Sequence, residues 1–217
     1  LSALSARGFS LGIELPRVFF GREEAVRTKL KQLWDMDIRH ARVGNWGALA
    51  LAQELGFFCH GAFGLNLFNT SSLEFCREHG LIDAEISFEL SLAQARALGG
   101  SLPRGILTYG RLPMMLTRNC PIKNVVGQCK KCHKNGSLTD RRGISFPVRC
   151  DGFSSEVLNS VPLFLLDGQN SYSDLDFEIL RFTVENSVEI GEILRSSGAE
   201  LKNKFQYTRG LSARGIE

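Results

Sequence analysis

Four of the six cysteines in this chain lie in one short stretch and have the spacing of a metal site. Cys120, Cys129, Cys132 and Cys150 form the pattern C-x8-C-x2-C-x17-C. A C-x2-C pair supplies two sulfur ligands from one turn, and two flanking cysteines can complete a four-sulfur cage. Several lysines lie in the same stretch, and nearby positive charge favours the thiolate form that binds metals. The spacing therefore predicts a metal or cluster site.

Three chemistries fit these cysteines. An iron–sulfur cluster is favoured because Pro121 follows Cys120, as a proline follows the last cysteine of one common cluster-binding run. Structural zinc is the second, although zinc ribbons more often have two C-x2-C pairs. Free thiols or disulfides are the third. The two remaining cysteines, Cys59 in an apolar run and Cys76 in a predicted helix, are expected to be small buried hydrophobic residues.

The composition of the 217-residue chain is that of an ordinary globular protein, with 43% hydrophobic and 23% charged residues. Its formal net charge of +3 is too small to indicate nucleic-acid binding by itself. No apolar run approaches the roughly 18 residues of a membrane helix, so we expect no membrane partner. The start at Leu1 shows no signal-peptide pattern, and thiolate ligands favour a reducing compartment. We therefore expect a cytoplasmic fragment of a longer protein.

Short apolar runs alternate with amphipathic segments in the first half of the chain. The predicted strands are 11–15, 39–43, 57–60, 84–86 and 105–109, and the predicted helices are 22–34, 46–55, 73–79 and 91–98. Gly56 and Gly80 are expected to end the second and third helices, and Ser71 with Glu74 to form a capping box. This alternation predicts an α/β fold with a parallel sheet of βαβ units, either half of a TIM-like (β/α) barrel or a short open sheet.

The pattern changes after residue 111. The stretch 112–143 has no clear period and is predicted to be rich in loops. Strands are predicted at 144–148, 161–166 and 177–182, followed by a helix at 184–194 with Val188 and Ile193 buried and by an irregular tail. The chain is thus divided into half a barrel at 1–111, a cysteine-rich loop insertion at 112–151 and a terminal α+β segment at 152–217.

The loops after the predicted strands carry polar residues, and in α/β barrels such loops build the active site. A pocket suited to a polar or anionic substrate is predicted from Arg17, Asn45, His60, Asn66, Glu89, Tyr109 and Arg111. Each of these residues also has a structural explanation, such as a packed histidine for His60 or an ion pair for Arg111. The chain has no G-x-S-x-G, H-E-x-x-H, Walker or G-x-G-x-x-G motif, so these hydrolase and nucleotide-binding sites are not indicated.

Several stretches resemble the collagenase-like peptidase family U32, and the resemblance extends over essentially the whole chain. The most specific stretches are 109–115 (YGRLPMM) and 117–121 (TRNCP). Further matching stretches are 89–91 (ELS), 138–143 (LTDRRG), 146–148 (FPV), 208–211 (TRGL) and 214–215 (RG). Members of this family are bacterial and archaeal cytosolic proteins built on a TIM-like barrel.

The resemblance implies two different activities. The family name comes from collagen-degrading relatives, which implies a peptide substrate, although their catalytic type was never assigned. Other relatives support oxygen-independent hydroxylation of RNA bases or of a ubiquinone precursor, have been linked to prephenate, and in some cases bind a [4Fe-4S] cluster through four cysteines. By this resemblance Cys120, Cys129, Cys132 and Cys150 would be the cluster ligands, and Arg111 and Arg118 would hold an anionic group. It also implies that the barrel begins upstream of Leu1, so that a missing N-terminal part completes it.

Overall fold

The computed structural model describes residues 4, 6–127, 135–152, 154–166, 174–196 and 198–213. The chain forms two compact units, Leu1–Gly105 and Ile106–Glu217, here called the first and second units. Across these described ranges, none of the helices combines the length and the apolar character needed to cross a lipid bilayer.

The first unit is built from strands that alternate with helices. Its elements are β1 (Gly12–Glu14), α1 (Glu23–Asp35), β2 (His40–Val43), α2 (Trp46–Glu54), β3 (Phe58–Gly61), a 3-10 turn (Phe63–Leu65), α3 (Thr70–Glu78), β4 (Leu81–Glu85), α4 (Leu92–Ala97) and the start of β5 (Arg104–Gly110). Strands β1 to β5 lie side by side in chain order, and each neighbouring pair is parallel. The predicted α/β class is confirmed, and this order is compatible with part of a barrel.

Local signals in the sequence explain where these helices begin and end. The Asn45 side chain accepts a hydrogen bond from the Ala48 N–H at 2.7 Å and so caps α2. Gly56 and Gly80 follow α2 and α3 with φ of 83° and 82°, a conformation that glycine adopts without steric cost, as predicted. The predicted capping box of α3 is wrong by two residues.

The actual box of α3 joins Asn69 and Ser72. Asn69 is the residue before the helix, so its side chain can reach the free N–H groups of the first turn. Glu74 instead bonds Arg77 at 2.8 Å and the Ser101 N–H at 2.8 Å. Tertiary contacts of Glu74 thus displace the cap that local spacing predicted.

The pairing of β3 with β4 contains a register irregularity. Cys59 lies opposite Leu81, whereas the next residue, His60, lies opposite Asp83. Ile82 is therefore an extra residue on β4. Such an extra residue resets the alternation of side chains along a strand.

The second unit contains the end of β5 and two groups of strands. Tyr109 and Gly110 of β5 pair antiparallel with β10 (Leu163–Phe164), and β5 also pairs with β11 (Phe177–Arg181). A separate antiparallel sheet has the order β6-β9-β8-β7. Its strands are β6 (Pro113–Thr117), β7 (Asn135–Thr139), β8 (Ser145–Cys150) and β9 (Ser155–Leu158). The helices of this unit are α5 (Pro121–Val126), α6 (Ser187–Arg195) and α7 (Gly198–Leu201).

The structure corrects two predictions for this unit. The stretch 112–143 is not simply a loop, because β6, α5 and β7 lie within it. Strand β7 has a loop-like sequence but gains its hydrogen bonds from β8, through a turn in which Asp140 accepts from the Arg142 and Ile144 N–H groups. In α6, Ile193 is buried as predicted, but Val188 in the first turn is 68% exposed.

Phe57, just before β3, and Phe58, its first residue, provide a matched test of the sheet, because successive residues of an extended chain point to opposite sides. Phe57 is 5% exposed and packs against Trp34 with a ring separation of 5.2 Å, whereas Phe58 is 54% exposed. We expect Phe57→Ala to lower the free energy of unfolding by about 3–5 kcal/mol and Phe58→Ala by less than about 0.5 kcal/mol. Denaturant titration of the two variants measures both values. Equal losses would contradict this assignment of faces.

Candidate functional site

Charged residues and histidines line one face of the parallel strands in the first unit. Arg42 lies opposite Glu14 on one side and opposite His60 on the other, and His60 lies opposite Asp83. Neighbouring strand residues such as Ala41 and Cys59 are buried on the other face. We call the set Glu14, His40, Arg42, His60, Asp83 and Glu85 the polar face.

Glu85 is the most deeply buried charge of the polar face. Its side chain is 1% exposed and forms an ion pair with the Arg42 guanidinium. The same carboxylate oxygen accepts a hydrogen bond from the Phe63 N–H at 3.1 Å. Removing one member of a buried ion pair typically costs about 3–5 kcal/mol, because the other charge is left unpaired. Glu85 therefore fixes β2 and the 3-10 turn relative to β4.

Three of the predicted site residues lie where the first parallel strands end. The Arg17 guanidinium lies 4.6 Å from the centre of the Phe63 ring, and the Arg17 carbonyl accepts a hydrogen bond from the Asn45 side chain at 2.8 Å. Asn66 ends the 3-10 turn in the left-handed conformation, with φ of 49°. Arg17 and Asn45 are thus brought together, as loops after parallel strands predict.

Two other candidates differ in position from the prediction. His60 and Tyr109 lie within β3 and β5 rather than in loops after them. Glu89, by contrast, lies in the loop after β4, as predicted. The cap of α4 is Ser91, and the Glu89 N–H donates to the Ser87 hydroxyl at 3.3 Å. His60 consequently belongs to the polar face, whereas Tyr109 is buried in the second unit.

Tyr109 and Arg111 line a cavity of about 430 Å³ in the second unit. The Tyr109 hydroxyl donates to Glu185 at 3.1 Å, and burial together with that carboxylate raises the pKa of Tyr109 above its usual value. Arg111 donates to the carbonyls of Asn159 and Ser160, and its Nε lies 3.8 Å from Glu185. The Arg111 guanidinium therefore already has internal partners, with which an anionic ligand would have to compete.

Two of the four clustered cysteines lie beside the same serine. The Cys120 sulfur accepts a hydrogen bond from the Ser155 side chain, and Cys150 lies directly opposite Ser155 in the pairing of β8 with β9. Cys120 and Cys150 are partly exposed, whereas Cys59 and Cys76 are buried, as predicted. Burial raises the pKa of Cys59 to about 11 and also raises that of Cys76.

The environment of Cys120 favours its thiolate. Partial burial alone would raise the pKa of the thiol, but hydrogen bonds to the sulfur and a positive charge outweigh that effect. The hydrogen bonds come from the Lys123 N–H, the Ser155 hydroxyl and the Ile122 N–H, and the charge is that of Lys123. The net result is a pKa below the usual value, which suits a metal ligand.

Cys129 and Cys132 lie outside the described residues, in the segment 128–134. That segment joins Gly127 at the end of α5 to Asn135 at the start of β7. Asn135 pairs with Arg149, the residue before Cys150. Within the described part of the chain, no group of three or more potential ligands is arranged to hold a metal ion. Two of the four predicted ligands therefore lie among the described residues, and of these Cys120 has the lowered thiol pKa that suits a metal ligand.

Comparisons with protein-family models, with curated proteins and with solved structures found no match to this chain. The architecture of the chain alone therefore defines its structural class. It is an α/β protein in which a parallel sheet carries a polar face and a second unit carries partly exposed cysteines.

Sequence reasoning missed most of the polar face. His40 and Arg42 alternate along β2, as Asp83 and Glu85 do along β4. Charged residues at alternate positions of consecutive strands share one face, and this period is the signal that could have identified them. The predicted strand 84–86 began too late to include Asp83.

Replacing Ser155 tests the environment of Cys120. We expect Ser155→Ala to raise the pKa of the Cys120 thiol, because the variant removes a hydrogen bond that stabilises the thiolate. Alkylation of Cys120 by iodoacetamide at neutral pH should slow by about two- to tenfold, as mass spectrometry of its peptide would measure. Ser154→Ala is the matched control, since the Ser154 hydroxyl donates to Asp151 instead. Unchanged alkylation in Ser155→Ala would refute the hydrogen bond.

Proposed function

We propose that this chain binds a [4Fe-4S] cluster through Cys120, Cys129, Cys132 and Cys150 and supports oxygen-independent hydroxylation of an RNA base. The observation that carries the proposal is the position of Cys120 and Cys150 beside Ser155, together with the lowered pKa of Cys120. When bound, such a cluster supplies electron transfer. We also propose that the parallel strands belong to a TIM-like barrel in the cytoplasm, completed by an upstream part of the same protein.

The basic residues around the cysteines support an RNA partner. Arg118, Lys123, Arg141 and Arg142 are exposed in the second unit, after β6, on α5 and in the turn between β7 and β8. Cationic side chains attract the phosphate backbone irrespective of base sequence. Arg149 is also exposed, although Glu156 lies directly opposite it in the adjacent strand.

A peptidase of the serine or cysteine type is less well supported. His60 bonds Asp83 at 2.8 Å, which resembles the histidine–carboxylate pair of such enzymes. The other ring nitrogen of His60, which would activate a nucleophile, instead lies 2.9 Å from a nitrogen of His40. The pair therefore lacks the arrangement needed to activate a serine or cysteine.

Metal analysis of protein purified without oxygen tests cluster binding. We expect about four iron and four sulfide per chain, with absorbance at about 400 nm. Cys129→Ala should lose the iron, the sulfide and this absorbance. Cys59→Ala is the matched control, because Cys59 is buried with a pKa of about 11 and should not bind the cluster. Zinc without iron would show that the cysteines form a structural zinc site and would overturn the proposal of a cluster. Protein without any metal would overturn it as well.

Nucleoside analysis of RNA tests the reaction. A source strain that lacks the gene, grown without oxygen, should lose one hydroxylated nucleoside, as detected by mass spectrometry. Hydroxylation replaces a C–H bond of the base by C–OH and removes two electrons from that carbon. Without O2, an organic hydroxyl compound would supply the oxygen and be reduced to the corresponding C–H compound, which takes up the hydrogen of the base. The full-length gene with Cys59→Ala should restore the nucleoside, whereas the gene with Cys129→Ala should not. An unchanged nucleoside profile, with gelatin cleavage that survives replacement of all four cysteines, would favour the peptidase.

A further inference from the structure

Three side chains of the polar face form a continuous hydrogen-bonded chain across three strands. Asp83 on β4 bonds Nδ1 of His60 on β3 at 2.8 Å. Nε2 of His60 lies 2.9 Å from Nδ1 of His40 on β2. His60 therefore uses both ring nitrogens, and His40 uses one, in contacts with neighbouring strands. These contacts fix the orientation of each ring.

The hydrogen bonds that link Asp83, His60 and His40 determine where the protons lie when both rings are neutral. An ionised carboxylate can only accept, so Nδ1 of His60 carries a proton and its Nε2 has a lone pair. That lone pair accepts from Nδ1–H of His40, which leaves Nε2 of His40 as a base. Within the described residues, no hydrogen bond is recorded for Nε2 of His40.

An exposed aromatic ring lies beside this base. Phe58 is the register partner of His40 on β3, and the two ring centres are 5.4 Å apart. Phe58 is 54% exposed, although large aromatic side chains are usually buried. An exposed ring of this kind provides a surface against which a planar ligand can stack.

Charged groups of the neighbouring strands lie near the two histidines. Asp83 acts through His60, while Glu14 and Glu85 face Arg42 from β1 and β4. Arg42 forms an ion pair with Glu85. When His40 gains a proton from a ligand, its Nδ1–H still donates to Nε2 of His60, so the hydrogen bonds that lead to Asp83 stay intact.

We propose that His40 and Phe58 form a binding site for an aromatic weak acid, such as a phenol, which His40 deprotonates. The ligand ring stacks on Phe58 and its O–H points at Nε2 of His40. The O–H bond breaks, the proton moves to Nε2, and the electron pair stays on the ligand oxygen. His40 becomes an imidazolium that still donates Nδ1–H to His60. His60 and Asp83 are positioning residues, and the site does not depend on the cysteine cluster.

Titration with 4-nitrophenol tests the site, because this probe has a pKa near about 7 and its phenolate is coloured, so binding and ionisation can be measured together. At a pH below that value, we expect the full chain to bind the probe and to increase its ionised fraction. Phe58→Ala should weaken binding about fivefold, which is the effect of losing one aromatic contact. His40→Gln should abolish the added ionisation. Trp46→Ala is the control, because Trp46 is an exposed aromatic residue on α2 and should change neither quantity.

Asp83→Asn tests whether Asp83 promotes proton uptake by His40 through His60 or only holds the His60 ring in place. This variant keeps the shape of the side chain and removes its charge, so binding should persist while the ionised fraction of the bound probe falls roughly tenfold. Nitrogen NMR of the histidines gives an independent readout, with an unprotonated Nε2 expected for His40 in the wild type. Protonated Nε2 in neutral His40, no binding, or ionisation that survives in His40→Gln would each overturn the proposal.

Discussion

The arrangement of the first unit depends on one buried carboxylate. Glu85 binds Arg42 from β2 and the Phe63 N–H from the 3-10 turn, so a single side chain links three consecutive parts of the βα repeat. Phe63 in turn packs beneath Arg17, whose carbonyl accepts from Asn45. The polar residues at the ends of the strands are thus held by a charge that solvent does not reach. Such an ion pair adds little net stability over an apolar pair but strongly disfavours arrangements that separate its members.

The sequence predicted the first unit well because its signals are local. Apolar periodicity locates α1, and Gly56 and Gly80 mark the ends of α2 and α3. The errors occur where distant residues decide the structure. Glu74 contacts Ser101 rather than capping its own helix, and β7 gains its strand conformation from β8. Val188 was assigned to the buried side by its residue type, but the first turn of α6 exposes it.

The candidate sites were predicted unevenly for the same reason. Burial of Cys59 and Cys76 followed from their apolar or helical surroundings, and the structure confirms it. The link between Cys120 and Cys150 through Ser155 required the pairing of β8 with β9, which spacing along the chain does not specify. Predicting the hydrogen bonds from Asp83 through His60 to His40 would have required the register of three strands. Residue types therefore indicated the chemistry, but tertiary pairing determined which groups meet.

The extra residue Ile82 has a consequence for how this protein can change during evolution. Because it resets the alternation along β4, Asp83 faces His60, whereas an unbroken register would place Asp83 opposite Gly61 on the apolar side. If β4 lost this irregularity while keeping all its residues, charge would move into the core and His60 would lose its carboxylate acceptor in a single step. Lineages can vary the length of the loops between strands and helices with little penalty, whereas the register of Asp83 against His60 should be inherited almost unchanged.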